Sequence, residues 1–563
     1  MKKLARTATL LLIVLTVLGG AAACSNSNSD SQGTPASPPA SPLAEDTSPK
    51  PAASGDSAEW SLKKFDPPVT ISTAIAIRDL DKLRNGDTYE DNPLTRWYQD
   101  NLGIKTKYKW LLTDQGDALN QKIRLALASG EQLPDVLPID DNVLLNELIE
   151  SGQIMSIDEA FEKYASPRTK EAYAKNPAVW TAVTKDGKKW GLPQISDGNI
   201  GDAIMWIRQD WLDSVGLQAP TTLEEFEAVL EAFKKNYPDK TPLAVAGKAL
   251  QPLIGYMGDT QFVFGSTQPY IWNQGSDGKL QYGSVQPGFK AGLQKLKIWF
   301  DQGYMDKEFA THDEQKAASL FTSGEAGIIF GPGWMGAWPL EDTVKNVQGA
   351  VVKPYELPSG VDGTIGRIGT KLVYITYVFR KGFEHMDALF QYYDVSMGSL
   401  LEDPNSPFAA GAGEGYDYVM KDGKPSWDVP DGAVELRYSI ATVGNTPPGM
   451  LEGETIFERV SAGKRDTIYE QKLAFSSSPL YLEGRIVSFK QLDRDRREQF
   501  IGAPTETMVS KWPLLSQMEN EIAISYIYGK ATDDDFDRFV NDWMSKGGQK
   551  ITDEVNAWFQ SAK

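Results

Sequence analysis

The chain has 563 residues, 41% of them hydrophobic, and a formal charge of −19. A body of that length exceeds what one hydrophobic core serves, so two or more lobes are expected. A surface this acidic, interrupted by no basic stripe, repels phosphate backbones and excludes nucleic acid as a partner.

In chain order, Lys2, Lys3 and Arg6 precede an apolar run from Leu10 to Leu18, the small residues Gly19 to Ala23, and then Cys24. This is the order of a secretory signal, and the apolar run is too short to span a bilayer. Residues 1–23 resemble a bacterial lipoprotein signal, with Ala21 where such signals favour leucine. The alternative is an ordinary signal followed by a chance cysteine. Cys24 is the one cysteine in the chain, and it is expected to carry a thioether-linked diacylglycerol and an N-acyl chain such as palmitate. Two or more lipids suffice for stable anchoring, here at the outer face of the cell membrane. Loss of the three leader cations takes the formal charge to −22, and a lipidated Cys24 excludes disulfides, thiolate metal sites and cysteine nucleophiles. Residues 25–58, rich in Ser, Pro, Ala and Asn, read with Cys24 as a disordered tether reaching roughly 30 Å. No later stretch approaches 18 consecutive apolar residues.

From there strand and helix signals alternate, which predicts α/β lobes. Val69–Ile75 reads as a strand, Asn92–Leu102 as a helix and Lys105–Trp110 as a strand. Gly116–Ser129 carries Leu119, Ile123, Ala126 and Leu127 at helical spacing before a Gly130 stop. Pro134–Ile139 reads as a strand and Val143–Glu150 as a helix stopped by Gly152. Thr222 and Glu225 form a capping box ahead of the stripe Phe226, Val229, Leu230 and Phe233. Phe289, Leu293, Leu296 and Phe300 form a second stripe, ending at Gly303. Lys371–Phe379 reads as a strand and Gly382–Tyr393 as the helix after it. Asp533, Asp534 and Asp535 open a helix, where acidic charge suits the N-terminus.

Several local patterns follow one another in a telling order: Gly130–Val136, Lys189–Gln194, Met205–Asp213, Pro220–Phe226, Leu296–Gly303, Phe321–Gly327 and Gly331-Pro-Gly-Trp334. Over residues 60–560 this order resembles the extracellular solute-binding proteins of carbohydrate ABC importers, in particular the long lipoprotein branch of Bacillus and Paenibacillus type. The resemblance implies a two-lobed periplasmic-binding-protein-like α/β fold with hinge crossings and a ligand cleft between the lobes. It implies crossings near Gly191–Met205 and Val352–Lys371. Lobe one is then 59–195 with 371–450, and lobe two 204–352 with 451–563. Members of this branch often carry a calcium loop after the helix corresponding to Leu223–Lys235. Here that place reads Asn236-Tyr-Pro-Asp-Lys-Thr-Pro242, with too few oxygen ligands, so no calcium is expected there.

The chemistry of catalysis is sparse. His312 and His385 are the two histidines, and neither belongs to a triad or metal pattern. No nucleophile elbow, phosphate loop or dinucleotide fingerprint occurs. No catalytic residue, cofactor or metal is expected. Aromatic rings are abundant instead, with 15 Trp, 22 Tyr and 22 Phe; flat rings suit the C–H face of a sugar, and Asp, Asn and Arg suit its hydroxyl rim. By resemblance a sugar-stacking Trp falls at Trp334, after Gly331-Pro-Gly333, read as a turn too open to bury its backbone. Trp338 follows one turn on. Trp272 falls in a loop of lobe two, and Trp206 and Arg208 sit just past the first crossing. Asp197 and Asn199 belong to the crossing loop. Asp140, Asp141 and Asn142 end the Pro134–Ile139 strand, at the carboxyl edge where open α/β sheets bind ligands. Trp97, Trp299 and Trp543 lie on helical patterns and are expected in the core. Arg78 and Arg208 are the cations considered for a uronate carboxylate.

The resulting expectation is a monomeric, lipid-anchored, non-enzymatic receptor that hands an oligosaccharide to transmembrane permease subunits. The alternatives are an anchored carbohydrate-active enzyme, or a surface sensor or adhesin. Turnover of sugar at catalytic protein levels separates the first alternative; a neighbouring kinase gene in place of permease genes separates the second.

Overall fold

The computed structural model describes residues 61–561, apart from 78–82, 114–116, 249, 250, 252, 431, 435, 437–439, 442, 443, 445–449, 451 and 452. The leader, Cys24, the tether and Arg78 lie outside the described residues.

Two sheets organise the chain. In the first, the Val373–Arg380 strand pairs antiparallel with Val136–Ile139, Ile154–Met155 and Leu192–Ile195. A parallel pair, Val69–Ile77 with Ile104–Thr113, lies beside it, tied by the Ser72 backbone and hydroxyl donating to Asp135 at 2.9 and 2.6 Å. In the second sheet the order is Val352–Tyr355, Ala203–Arg208, Ala326–Pro332, Thr241–Ala244. Its central strands are buried throughout (AIMWIR and AGIIFGP), as strands covered on both faces must be. Separate cores form on each sheet. One gathers Ile71, Tyr98, Val136, Leu192, Phe379 and Tyr392; the other gathers Met205, Phe226, Phe262, Leu296, Phe330 and Trp543.

Local chemistry sets the elements. The Pro93–Leu102 helix starts at Asn92, whose side chain accepts from Leu94 and Thr95, and stops at Gly103 with φ 66°. Ala118–Ser129 and Asn142–Ser151 end at Gly130 and Gly152, both left-handed. The Leu223–Asn236 helix has its Thr222–Glu225 capping box and buries Phe226, Val229, Leu230 and Phe233. Asp533–Trp543 opens with a Thr532–Asp535 box. The helix expected at Gly382–Tyr393 runs instead over Met386–Leu400. Gly382 takes φ 81° in a turn, and an apolar run through Met397 extends the buried face. Trp299 and Trp543 are fully buried and Trp97 partly so.

Among the described strands, the chain passes from the first sheet to the second between Ile195 and Ala203 and back between Tyr355 and Val373. The crossings are stitched side by side: Ser196 N–H donates to the Leu372 carbonyl at 2.9 Å, and Gly201 N–H to Thr370 Oγ1 at 3.1 Å. A buried ion network locks them to the segment after the Pro479–Phe489 helix. Arg367, fully buried, donates through Nε to Asp495 (2.7 Å), Nη1 to the Ala203 carbonyl (3.1 Å) and Nη2 to the Ser488 carbonyl (3.1 Å). Its Nη2 also lies 3.3 Å from Asp202. Arg497 joins by donating to Asp495, the Gly198 carbonyl and the Thr370 carbonyl. Burial pushes Asp202 above the usual carboxylate range; Arg367 opposes this and Asp495, sharing that guanidinium, adds to it.

Candidate functional site

A cavity of about 470 Å³ opens where the two bodies meet. Its lining comes from the first crossing (Asp197, Ile200), the end of the Met386–Leu400 helix and residues 401–402, and the Ile456–Ser461 and Pro479–Phe489 helices. The last helix presents Tyr481, Arg485 and Phe489 to it, at the four-residue spacing that places side chains on one face.

Arg485 anchors this site. It is 2% exposed, and its guanidinium lies over the rings of Phe457 and Phe489, 5.3 and 5.1 Å from their centroids. One nitrogen, Nη2, serves both Asp197 (3.0 Å) and Asn199 Oδ1 (2.8 Å). The other two, Nε and Nη1, have no hydrogen-bond acceptor among the described residues, and neither does Asn199 Nδ2. Buried donors without acceptors are costly. Several such donors around one charged contact are what a ligand's oxygen atoms would satisfy.

Aromatic rings stand at the edge of the same crossing. Trp334, half-buried, lies 6.4 Å from Tyr256 at 55°. Tyr256 is 44% exposed and covers Gly201, where a Cβ would meet its ring at 2.7 Å. From the other sheet Tyr374 reaches the same region: burial pushes its hydroxyl up, and the nearby Tyr256, Asp202 and Asp197 add to that. Trp338, 44% exposed, follows on the same turn as Trp334.

The expected residues divide accordingly. Asp197 and Asn199 are brought together at Arg485, and Trp334 stands in the aromatic group. Gly331-Pro-Gly333 is not an open turn: Gly331 and Pro332 finish a buried strand and Gly333 packs on Gly484. A Cβ on Gly333 would sit 2.5 Å from the Gly484 carbonyl, and one on Gly484 2.5 Å from Trp206 Cη2. Trp206 is thus a fully buried support beneath this contact, its Nε1 donating to the Gly331 carbonyl at 3.2 Å. Arg208 lies at the opposite end of that strand from Ala203, bound through Nε and Nη2 to Asp210 (2.9 and 2.6 Å) and stacked over Trp211. Trp272, 2% exposed, packs in the second core against Tyr282 at 5.3 Å and offers no free face. Asp140, exposed, accepts from Asn120 at 2.9 Å. Asp141 caps the following helix through Val143 and Leu144 and pairs with Arg124 at 2.6 Å. Partial burial raises its pKa, but those contacts outweigh it and hold the carboxyl below its usual value. Asn142, exposed, is the first helical residue. All three follow directly on the Thr376–Ile139 pair, at the edge where Tyr374 lies.

Sequence reasoning missed Arg485, Tyr481, Tyr256 and Tyr374. The stripe Tyr481, Arg485, Phe489 was the available signal. It joins the site only because the chain returns to Asp197 across 288 residues.

In the place weighed for calcium, Lys234 Nζ donates to the Pro238 and Lys240 carbonyls at 2.9 and 3.2 Å. Among the described residues no cluster of three or more His, Cys, Asp or Glu could hold a metal. Nor is any helix among them long and apolar enough to cross a membrane.

Two cored bodies, paired crossings and a cavity at their junction define a two-lobed binding protein. Solved structures share this fold. One is an HMO-binding, ABC-transporter-associated solute-binding protein from Bifidobacterium longum infantis, at TM-score 0.61 and 15% identity, covering 88% of this chain and 99% of that one. Another is the S. pneumoniae substrate-binding protein FusA in complex with kestose, at TM-score 0.56 and 17% identity, covering 88% and 99%. The model of the bacterial extracellular solute-binding protein family matches residues 82–390, more than half of the chain, which belongs to that family. Among its relatives, the polygalacturonan/rhamnogalacturonan-binding protein YtcQ of Bacillus subtilis (strain 168) is 24% identical over 465 residues, 79% of this chain and 84% of YtcQ. Lipoprotein LipO of the same organism is 20% identical over 507 residues, 84% of this chain and 90% of LipO.

Proposed function

We propose that this chain captures an oligosaccharide between its lobes and delivers it, chemically unchanged, to the permease subunits of an ABC importer. It acts as a monomer, held at the outer face of the cell membrane by lipid on Cys24, with residues 25–58 as tether. In this reading lobe one is 59–195 with 371–450, lobe two is 204–352 with 451–563, and closure about the crossings traps the ligand. Trp334, Asp197 and Asn199 contact it, joined by Arg485 and, at the rim, by Trp338, Tyr256, Tyr374 and the Asp140–Asn142 edge.

The observation that carries the reading is the junction cavity, where Arg485 holds unused donors beside the Asp197 carboxylate and the rings of Phe457, Tyr469, Tyr481 and Phe489. Polar groups that fix orientation beside apolar faces are what a sugar requires. The polygalacturonan/rhamnogalacturonan-binding relative YtcQ and the fructooligosaccharide-transporter relative FusA support a carbohydrate over a peptide. Calorimetry against a saccharide panel tests it: one-to-one binding with the sugar recovered intact is expected. Tight binding of peptides or amino acids with no saccharide bound would overturn it. Cys24→Ser should release the protein from the membrane without changing its affinity, as cell fractionation would report.

A further inference from the structure

We propose that this cavity selects neutral oligosaccharides and rejects uronate-bearing ones. The proposal rests on the sugar-binding reading above and adds its selectivity. Among the described lining residues three carry carboxylates (Asp197, Glu402, Glu454) and two carry guanidinium groups (Arg459, Arg485). Neither guanidinium is uncompensated. Arg485 pairs with Asp197 at 3.0 Å. Arg459 donates through Nε to Glu470 at 2.7 Å, through Nη2 to Glu402 and through Nη1 to the Glu454 carbonyl at 3.0 Å. The Glu454 carboxylate takes Lys464 at 2.9 Å on the exposed rim.

A ligand carboxylate entering here would meet more anionic groups than cationic ones, and the unused N–H groups of Arg485 belong to a charge that Asp197 already balances. In a partly desolvated site that repulsion is weakly screened, and it acts as a built-in element against acidic ligands. Hydroxyl groups meet no such penalty. A hydroxyl donates to a carboxylate and accepts from an N–H at once, whereas an ionised carboxyl only accepts. The lining offers both halves of that exchange: carboxylate oxygens on Asp197, Glu402 and Glu454, and unused N–H groups on Arg485. The specificity therefore departs from that in the name of YtcQ, whose polygalacturonan is a polyuronate.

The test is calorimetric, on the full mature chain carrying Cys24→Ser. The probes are tetrasaccharides of β-1,4-glucan, xylan, mannan and galactan, with tetragalacturonate and tetramannuronate as the acidic pair. At least one neutral probe should bind, with both uronates weaker by about tenfold or more. Methyl esterification of tetragalacturonate, which removes its charge, should relieve part of its deficit. A uronate that binds as tightly as the best neutral probe would overturn the selectivity and leave the sugar-binding reading intact. Binding of no saccharide at all would overturn that reading, and the selectivity with it.

Discussion

Two buried arginines, Arg367 and Arg485, occupy the same junction and are used in opposite ways. Every nitrogen of Arg367, itself on the second crossing, is engaged by two carboxylates and two backbone carbonyls drawn from the first crossing and the C-terminal segment. Arg485 engages one nitrogen of three and leaves the rest facing no acceptor among the described residues. Both are desolvated, so the difference is one of completion. Arg367 closes a structural network; Arg485 leaves donors that the fold alone does not satisfy. Missing partners alone do not make a site, since the buried Arg208 also has an unpartnered Nη1; those of Arg485 read as one because it lines the junction cavity.

The comparison breaks most visibly if Arg367 is removed. Arg367→Met leaves Asp202 buried without its paired cation and Asp495 with Arg497 alone, and should cost about 3–5 kcal/mol in urea unfolding. Trp272→Ala, a core deletion, should cost a similar 3–5 kcal/mol and change affinity only through stability. Arg485→Lys keeps a charge beside Asp197 but loses the planar fork. It should weaken sugar binding roughly 10- to 100-fold, as expected for hydrogen bonds from a charged group, with the melting temperature nearly unchanged. Trp334→Ala should weaken binding at least about tenfold with the fold intact; unchanged affinity would remove it from the site.

A smaller effect extends the comparison to a carboxyl with no cation at its contact. Glu519, in the second core, accepts from Tyr282 Oη at 3.1 Å, and burial pushes it up to about 8 from 4.5. The folded state therefore holds a proton between those values that the unfolded chain does not. This contribution is fully present below pH 4.5 and is lost as pH rises through about 8. The melting temperature should fall by a few degrees between pH 5 and 9, and Glu519→Gln should flatten that fall. Smallest of all, EDTA should leave the melting temperature unchanged, because the Lys234 ammonium holds the Pro238 and Lys240 carbonyls.

How much of this was legible in the sequence follows from how local each cause is. Strand and helix positions were readable because Asn92, Thr222, Gly130 and Gly152 act within a few residues of themselves. Burial of Trp299 and Trp543 followed from helical spacing. Asp197 and Asn199 were legible as junction residues because they sit on a crossing, where both meet Arg485. Trp206, Trp272 and Arg208 were read toward ligand because sequence position does not report which face a side chain takes. In a strand buried on both faces, as Ala203–Arg208 is, alternation carries no signal. Arg485 was invisible for a different reason: its partners lie nearly 300 residues away, and no local pattern distinguishes a completed guanidinium from an incomplete one.

The most direct measurement is titration of wild type and Arg485→Lys with the best-binding neutral tetrasaccharide, alongside their melting curves. The account predicts one-to-one binding to wild type, recovery of intact sugar, and a roughly 10- to 100-fold weaker affinity in a variant that melts like wild type. Equal affinities in two equally stable proteins would contradict it.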